Sequence, residues 1–410
     1  MDEGVVITGI GAITPIGNTW TDTWAALKRG ESGVAPITQF DASGFATTIA
    51  GEVKGFQPEA HFNTKVLNGT SRTSQLAMVA AREAVADAGL TEQLPKLETG
   101  VALNCAVSGF AEVERATETL RNEGPHHVRA SVVPAAITNM PACEVAMDLG
   151  AHGPVNASAL ACASGAYAML EARAMLLAGD ADVVLAGGAD AAITPVMFAS
   201  LSQLHALSRR NDDPTAASRP FDADRDGFVF GEGAVVLTLE RRSHAAARGA
   251  TIYAEVRGGA LTCDAFHVVA PDHTGRYATR AITRALAGAG LNPGDIDYVC
   301  AHGTSTRVND RMETIALKQA LGAAAKRLAV SAPKSMTGHM IGAAGALASA
   351  ICAQAIREGV IPPTINYRTP DPECDLDYVP LTARDLKVRH ALTNAFGFGG
   401  QNCVVAFGAA

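Results

Sequence analysis

Tyr298-Val299-Cys300-Ala301-His302-Gly303-Thr304-Ser305-Thr306 reads as a short strand, Tyr298–Ala301, ending on a histidine and opening into a turn with three hydroxyl side chains. In sheets built from alternating strands and helices, the loops at the carboxyl ends of strands open onto a crevice, and reactive side chains gather there. The layout recurs. A strand over Leu328–Ser331 runs into Ala332-Pro333-Lys334-Ser335-Met336-Thr337-Gly338-His339, with a lysine five residues before the histidine. Outward from this pair, further runs (Val5–Ile7, Gly100–Leu103, Val183–Leu185, Ala234–Leu239, Ile252–Val256, Asn402–Ala406) alternate with Ala-rich helical patterns. Strands spaced by helices predict an α/β fold with a parallel or mixed sheet covered on both faces.

Two of the helical patterns end in glycine, the residue that most easily adopts the left-handed stop: about Ser74–Ala88 before Gly89, and about Tyr277–Ala289 before Gly290. Their ends echo one another. Arg82-Glu83-Ala84-Val85-Ala86-Asp87-Ala88-Gly89-Leu90 resembles Thr283-Arg284-Ala285-Leu286-Ala287-Gly288-Ala289-Gly290-Leu291 at an offset of 201 residues. A second pair shares its layout, a helix entered through Gly165 or Gly342 and left through Gly179 or Gly359. The offset is close to half the chain, so a duplicated α/β unit is expected, with halves 1–250 and 251–410 joined near Arg248–Thr251.

Composition narrows the classes. Of 410 residues, 48% are hydrophobic and 18% charged, which excludes a disordered chain. The net charge of −8 argues against whole-chain attraction to nucleic acid or an acidic membrane, so an acidic partner needs a local basic patch. The acidic start Met1-Asp2-Glu3 lacks the features of a signal peptide. The uncharged stretch Met340–Ile356 has 17 residues, short of the ~20 a membrane span needs, and reads as a buried helix. Eight cysteines without a CxxC pair, and histidines without metal-ligand spacing, give no metal site; the thiols are expected reduced in a cytoplasmic protein.

Cys162 lies in Ser158-Ala159-Leu160-Ala161-Cys162-Ala163-Ser164-Gly165-Ala166-Tyr167, an extended entry followed by an Ala-rich helix. A cysteine in the first helical turn feels the positive end of the dipole, which is expected to lower its pKa. Small neighbours would let a carbonyl approach sulfur and backbone N–H groups. By itself the residue reads equally as a buried structural cysteine. Asn394-Ala395-Phe396-Gly397-Phe398-Gly399-Gly400-Gln401-Asn402 is a glycine-rich turn with free N–H donors; without a following lysine or helix it is no phosphate loop, and alone it reads as a plain β-turn.

Together these stretches resemble the β-ketoacyl-acyl-carrier-protein synthases of the thiolase-fold, or condensing-enzyme, superfamily, and among them the type II elongating enzymes. The resemblance spans nearly the whole chain. Besides the motifs above it rests on Val6-Ile7-Thr8-Gly9-Ile10-Gly11, Thr14-Pro15-Ile16-Gly17, Arg219-Pro220-Phe221-Asp222-Ala223-Asp224-Arg225-Asp226-Gly227-Phe228, Gly231-Glu232-Gly233 and Gly342-Ala343-Ala344-Gly345. It implies a thiolase-like fold, two duplicated α/β halves layered α-β-α-β-α, with the nucleophilic cysteine in the first and both histidines in the second. It implies an acyltransferase whose Cys162 accepts an acyl chain, while His302 and His339 assist malonyl decarboxylation and stabilise the enolate. The amides of Cys162 and Phe398 would form the oxyanion hole, and Phe398 would gate. Lys334 and Glu313 match a charged pair near the histidines. Thr304 and Thr306 match hydroxyls that hold a phosphopantetheine arm, and Phe110, Phe396 and Gly399 match positions bordering substrate. No resident cofactor or metal is implied; substrates arrive on the phosphopantetheine arm of acyl carrier protein.

Relatives separate on single residues. A thiolase needs a second cysteine before its glycine-rich loop, whereas Cys403 follows it; chain-initiating synthases carry Asn where His339 stands; chain-length factors lack the cysteine. The chain also departs from the elongating pattern. Gly69-Thr70-Ser71-Arg72-Thr73 replaces a basic-Met-Asp-Arg-Phe run, Arg307 stands where proline is common, and Phe110 replaces a smaller aliphatic residue. The alternative is therefore the ketosynthase subunit of a type II polyketide system paired with a chain-length factor, and a remote one is a carrier-binding scaffold without activity. The family regions nominate Lys65, Arg72, Arg209 and Arg210 for carrier docking. The apolar segment Ser131–Met140 predicts a dimer, either a homodimer or a heterodimer with a chain-length-factor-like paralogue.

Overall fold

A computed structural model of the chain describes residues 3–410; Met1 and Asp2 of the acidic start lie outside the described residues. Ten strands form its main sheet: β1 (Val5–Ile13), β2 (Thr99–Asn104), β3 (Val155–Asn156), β4 (Val183–Asp190), β5 (Gly233–Arg241), β6 (Ala254–Cys263), β7 (Tyr298–Cys300), β8 (Ala329–Ser331), β9 (His390–Gly397) and β10 (Gln401–Gly408). Their spatial order is β8-β7-β9-β10-β6-β1-β5-β4-β2-β3. Each set of five, counted from its own first strand, reads third, second, fourth, fifth, first. The pairing senses also match: β2 lies parallel to β3 and β4, and β7 to β8 and β9, while the remaining pairs are antiparallel. β1 and β6 join the two sets antiparallel through Val6–Glu255 and Ile7–Ala254.

Helices complete five layers. Arg72–Asp87 covers β1 and β5 from outside and carries Met140–Leu149; Arg276–Ala289 covers β6 and β10 and carries Arg307–Leu321. Between the two half-sheets, Ser164–Ala178 packs on Ala344–Glu358, and both touch strands of each half. The sequences explain the placement. Arg276–Ala289 buries one stripe, Ala278, Ala281, Ile282, Ala285, Leu286 and Ala289, as an outer helix should. Ala344–Glu358 is buried from Ala344 through Ala355, as a helix enclosed on all sides must be. The central helices touch through glycine: a Cβ on Gly165 would stand 2.5 Å from Gly342 O, and one on Gly345 2.5 Å from Ala166 N.

Both sequence echoes land at matching places, the Gly89 and Gly290 pair on the outer helices and the Gly165 and Gly342 pair at the centre. Several strands run longer than the β-branched runs suggested, β1 to Ile13, β4 to Asp190 and β6 to Cys263. Two strands were not expected, the two-residue edge strand Val155–Asn156 and a central one. His390–Gly397 contains Ala391, Asn394 and Ala395, weak strand formers, yet it lies inside the sheet between β7 and β10. No helix among the described residues is long and apolar enough to cross a membrane.

Candidate active site

Cys162 sits in a tight turn, Ala161–Ala163, that leads directly into the central helix Ser164–Ala178. Ala161 is left-handed (φ 48°), a strained conformation for a residue with a Cβ. Ser164 holds it: its Oγ donates to Ala161 O at 2.7 Å and accepts from Leu160 N at 2.9 Å. Gly397, at the end of β9, packs against this turn so closely that a Cβ would stand 2.6 Å from Leu160 O. The thiol is 7% exposed. Burial pushes it up to about 11, and the Lys334 charge and the Phe398 N–H only partly oppose that. The thiolate expected from the helix dipole is therefore not the resting state, because loss of water around sulfur outweighs nearby positive charge.

The two histidines come off β7 and β8. Lys334 is buried; its Nζ donates to His302 O at 2.6 Å and faces His302 Nδ1 at 3.4 Å. His339 Nδ1 accepts from Ile341 N at 3.1 Å, and its Nε2 is buried without a partner. In both rings Nδ1 faces a protein donor, so the proton belongs on Nε2. The rings meet edge to face, 5.5 Å between centroids. Burial first, then the Lys334 charge, drives both imidazoles well below their usual range, so they are neutral donors at physiological pH.

Cys162, His302 and His339 share one cavity of about 470 Å³. Thr304, Thr306, Phe396 and Phe398 line it too, and its inner wall is apolar, with Val107, Leu201, Phe228, Phe230 and Ile341. Thr304 Oγ1 and Thr306 Oγ1 are hydrogen-bonded at 2.9 Å. Phe398 is 39% exposed on the turn joining β9 to β10, with left-handed glycines after it (Gly399 φ 87°, Gly400 φ 79°). Asp264 accepts from Asn402 Nδ2 at 2.7 Å, and Val268 O accepts from Gly399 N at 2.9 Å, so the 264–272 segment braces the turn.

Other expected site residues stand elsewhere. Glu313 makes no ion pair with Lys334; its carboxylate accepts from His302 N and Gly303 N, both at 2.8 Å, and from Asn394 Nδ2 at 3.0 Å. It shapes the histidine loop through the backbone. Phe110 does not line the cavity but packs behind its wall, in a cluster with Ile193, Phe198, Phe230 and Ile341. Gly399 is not in the lining either. Arg72 is not free for docking: it grips buried Glu232 with Nε–Oε2 at 2.9 Å and Nη2–Oε1 at 2.8 Å. Arg210 pairs with Asp213 at 3.5 Å. Lys65 is exposed, and so is Arg209, which contacts His205 on the cavity rim at 3.2 Å.

Asp310 was missed. It is fully buried and accepts from Thr304 N at 3.0 Å and Phe221 N at 2.8 Å, so it fixes the hydroxyl-bearing loop. The signal was present: Asp310 and Glu313 share one helix face three residues apart, directly after the histidine loop. Asn394, whose partner is Glu313, had no such signal.

Residues 2–245 match the β-ketoacyl synthase N-terminal domain family and residues 253–368 the C-terminal domain family. Over 404 residues, 98% of this chain and 97% of the relative, the sequence is 48% identical to 3-oxoacyl-(acyl-carrier-protein) synthase 2 of Synechocystis sp.. The synthase 2 of Coxiella burnetii is 43% identical over 399 residues, 97% of this chain and 96% of its own. Among solved structures, a type II polyketide acyl carrier protein in complex with its ketosynthase bound to a hexaketide superposes with a TM-score of 0.92 at 34% identity, covering all of both chains. The ishigamide ketosynthase/chain length factor superposes with a TM-score of 0.92 at 37% identity over 100% of this chain and 99% of that one.

Proposed function

Since this chain belongs to the β-ketoacyl synthase family, we propose that Cys162, His302 and His339 carry its decarboxylative condensation in two half-reactions. In the first, the Cys162 thiol gives up its proton as sulfur attacks an acyl thioester; the oxyanion is received by the amides of Cys162 and Phe398, and the pantetheine thiol leaves. In the second, a malonyl thioester loses CO₂. Its thioester oxygen becomes an enolate oxygen, and the neutral Nε2–H donors of two imidazoles that line one largely apolar cavity stabilise it without reorganising. The enolate carbon attacks the Cys162 thioester. Collapse returns the sulfur, which takes up a proton, and releases a 3-oxoacyl thioester.

The observation that carries this reading is the shared setting of the imidazoles, each lining the sulfur's cavity with Nδ1 beside a protein donor, which leaves Nε2 as the free donor. No resident cofactor is required, since the carbanion is generated by loss of CO₂. Residues 1–250 supply the nucleophile and residues 251–410 the histidines, and the reading places the enzyme in the cytoplasm. Intact-protein mass spectrometry after incubation with acyl carrier proteins of graded length is the test. An acyl mass on Cys162 supports the assignment; an acyl mass on another cysteine with Cys162 unmodified overturns it.

The carrier is expected to dock at the cavity mouth, which exposed Leu204, Val308 and Phe398 line together with His205, the residue Arg209 contacts. A dimer is the expected assembly. Helix Phe110–Asn122 buries no residue, and Val113, Leu120, Val133, Ile137 and Met147 are exposed. Edge strand β3 is also uncovered, with Val155 41% exposed. A homodimer is favoured over a pairing with a chain-length-factor paralogue. The altered Gly69–Thr73 segment and the likeness to ketosynthase/chain length factor structures support the second. Light scattering on the chain expressed alone separates them: a soluble homodimer selects the first, insolubility cured by a co-expressed paralogue selects the second, and an active monomer refutes both.

A further inference from the structure

Asp190, the last residue of β4, is wholly buried, and no basic side chain pairs with it among the described residues. Its carboxylate collects four backbone donors. Oδ1 accepts from Val107 N at 3.0 Å and Ser108 N at 2.8 Å; Oδ2 accepts from Ala106 N at 2.9 Å and Gly342 N at 2.8 Å. The two segments it ties lie more than two hundred residues apart in the chain, and both reach the cavity, Ala106 and Val107 from one and Ile341 from the other. Each contains a left-handed residue that is not glycine, Ser108 (φ 35°) and Ile341 (φ 48°). Such strain persists only where the surroundings over-determine it.

The Ile341–Gly342 turn is also the seat of His339, since Ile341 N donates to His339 Nδ1 and the next N–H along the chain is the one Asp190 holds. A Cβ at Gly342 would collide with Asp190 Oδ2, so glycine there is what lets the carboxylate in. The duplicated fold sharpens the point. The loop after β2 (Ala106, Val107, Ser108) corresponds to the loop after β7 (His302, Gly303, Thr304), whose three N–H groups are taken by Glu313 and Asp310. The turn Ile341–Ala343 corresponds to Ala161–Ala163, and the end of β4 at Asp190 to the end of β9 at Gly397. In one half the amide of the turn stays open beside Cys162. In the other, the matching amide, Gly342 N, is filled by the protein's own carboxylate.

We propose that Asp190 is a positioning residue for the decarboxylation step: it locks the Ile341–Gly342 turn, and through it the Nε2–H of His339, against the Ala106–Ser108 wall. This rests on the role given above to His339, and it concerns a residue that touches no substrate. Asp190→Asn keeps the shape but sets an N–H against N–H donors. Misplacing a catalytic donor by an ångström costs up to about 100-fold. The expected result is a fall in kcat for malonyl-carrier decarboxylation of about 10- to 100-fold, with KM within about threefold of wild type and acyl transfer to Cys162 within about threefold. In protein labelled with ¹⁵N-histidine, His339 should gain an Nδ1–H population absent from wild type. Gly342→Ala, which keeps the charge of Asp190 but crowds its Oδ2 and Ala106 N away from the turn, should give the same split, and it serves if Asp190→Asn does not fold. His339→Ala is the control. If it abolishes decarboxylation while a folded Asp190→Asn or Gly342→Ala decarboxylates at the wild-type rate, or loses both half-reactions equally, the positioning role is overturned and the role of His339 stands. If His339→Ala decarboxylates normally, the reading of the site falls, and this inference with it.

Discussion

Lys334→Met tests whether the buried ammonium acts by orienting His302. Methionine matches the aliphatic stem, so the cavity wall is kept while both contacts of Nζ are lost, the 2.6 Å bond to His302 O and the 3.4 Å approach to His302 Nδ1. The first anchors the ammonium; the second presents it to the ring and keeps Nδ1 an acceptor. Losing a charged hydrogen-bond donor is worth about 1.5–3 kcal/mol. If His302 then samples the wrong tautomer, that loss falls on the enolate it should stabilise. At about 1.4 kcal/mol per tenfold, decarboxylation slows by about 10- to 150-fold. Acyl transfer to Cys162 does not use the His302 donor but loses the Lys334 charge that favours the thiolate, so it should be only partly reduced, by less than about tenfold or ~1.4 kcal/mol. Release of labelled CO₂ from malonyl-carrier protein reads the first step, and intact-mass acylation reads the second, on protein whose melting curve shows it folded. Decarboxylation within threefold of wild type, or equal loss of both steps, refutes the orienting role. A covalent substrate adduct on residue 334 of the wild type would show a different chemistry altogether.

Cys162→Ala should abolish acyl loading and condensation, while Cys162→Gln keeps or raises decarboxylation, since loss of CO₂ needs the imidazoles and not the sulfur; paired mass and CO₂ assays check both. Because burial holds the thiol near 11, alkylation of Cys162 should climb about tenfold per pH unit from about pH 7 to 9; a plateau within that window refutes a neutral resting thiol. Arg72→Glu should lower the melting temperature, with a stability loss of about 3–5 kcal/mol from the stranded buried Glu232 carboxylate. Arg209→Glu should leave stability unchanged and weaken carrier affinity most at low salt. Equal effects of the two on carrier binding would return Arg72 to the docking surface.

The reactive groups were legible because each belongs to a local pattern. A strand that ends on histidine, and a small-residue turn that enters a helix at cysteine, carry their meaning within about ten residues. What the sequence hid depends on partners far along the chain. Arg72 looked free because Glu232, its partner, lies 160 residues away. Lys334 and Glu313 looked like a pair because both belong beside His302, yet one grips its carbonyl and ring while the other holds its amide. The Cys162 thiol looked acidic because a dipole can be read from a helix start, whereas burial depends on Gly397 and Phe398 closing over the turn from the other half. β9 was overlooked because its alanines and asparagine are poor strand formers alone; pairing on both edges decides the matter.

The duplication explains why one chain needs both halves for one site. The central helices of the two halves meet at Gly165 and Gly342, and their opening turns therefore lie side by side. At the same backbone position one turn carries Cys162 and the other Gly342, and facing them the equivalent strands end in Gly397 and Asp190. Glycine beside cysteine leaves an amide open for a substrate oxyanion, whereas aspartate beside glycine closes its counterpart. The closed turn then becomes a rigid seat for His339 rather than a second reactive centre. The partners cannot be exchanged between halves: a side chain at Gly397 would run into Leu160 O, so the asymmetry that makes a nucleophile on one side and a fixed imidazole on the other resides in those four residues.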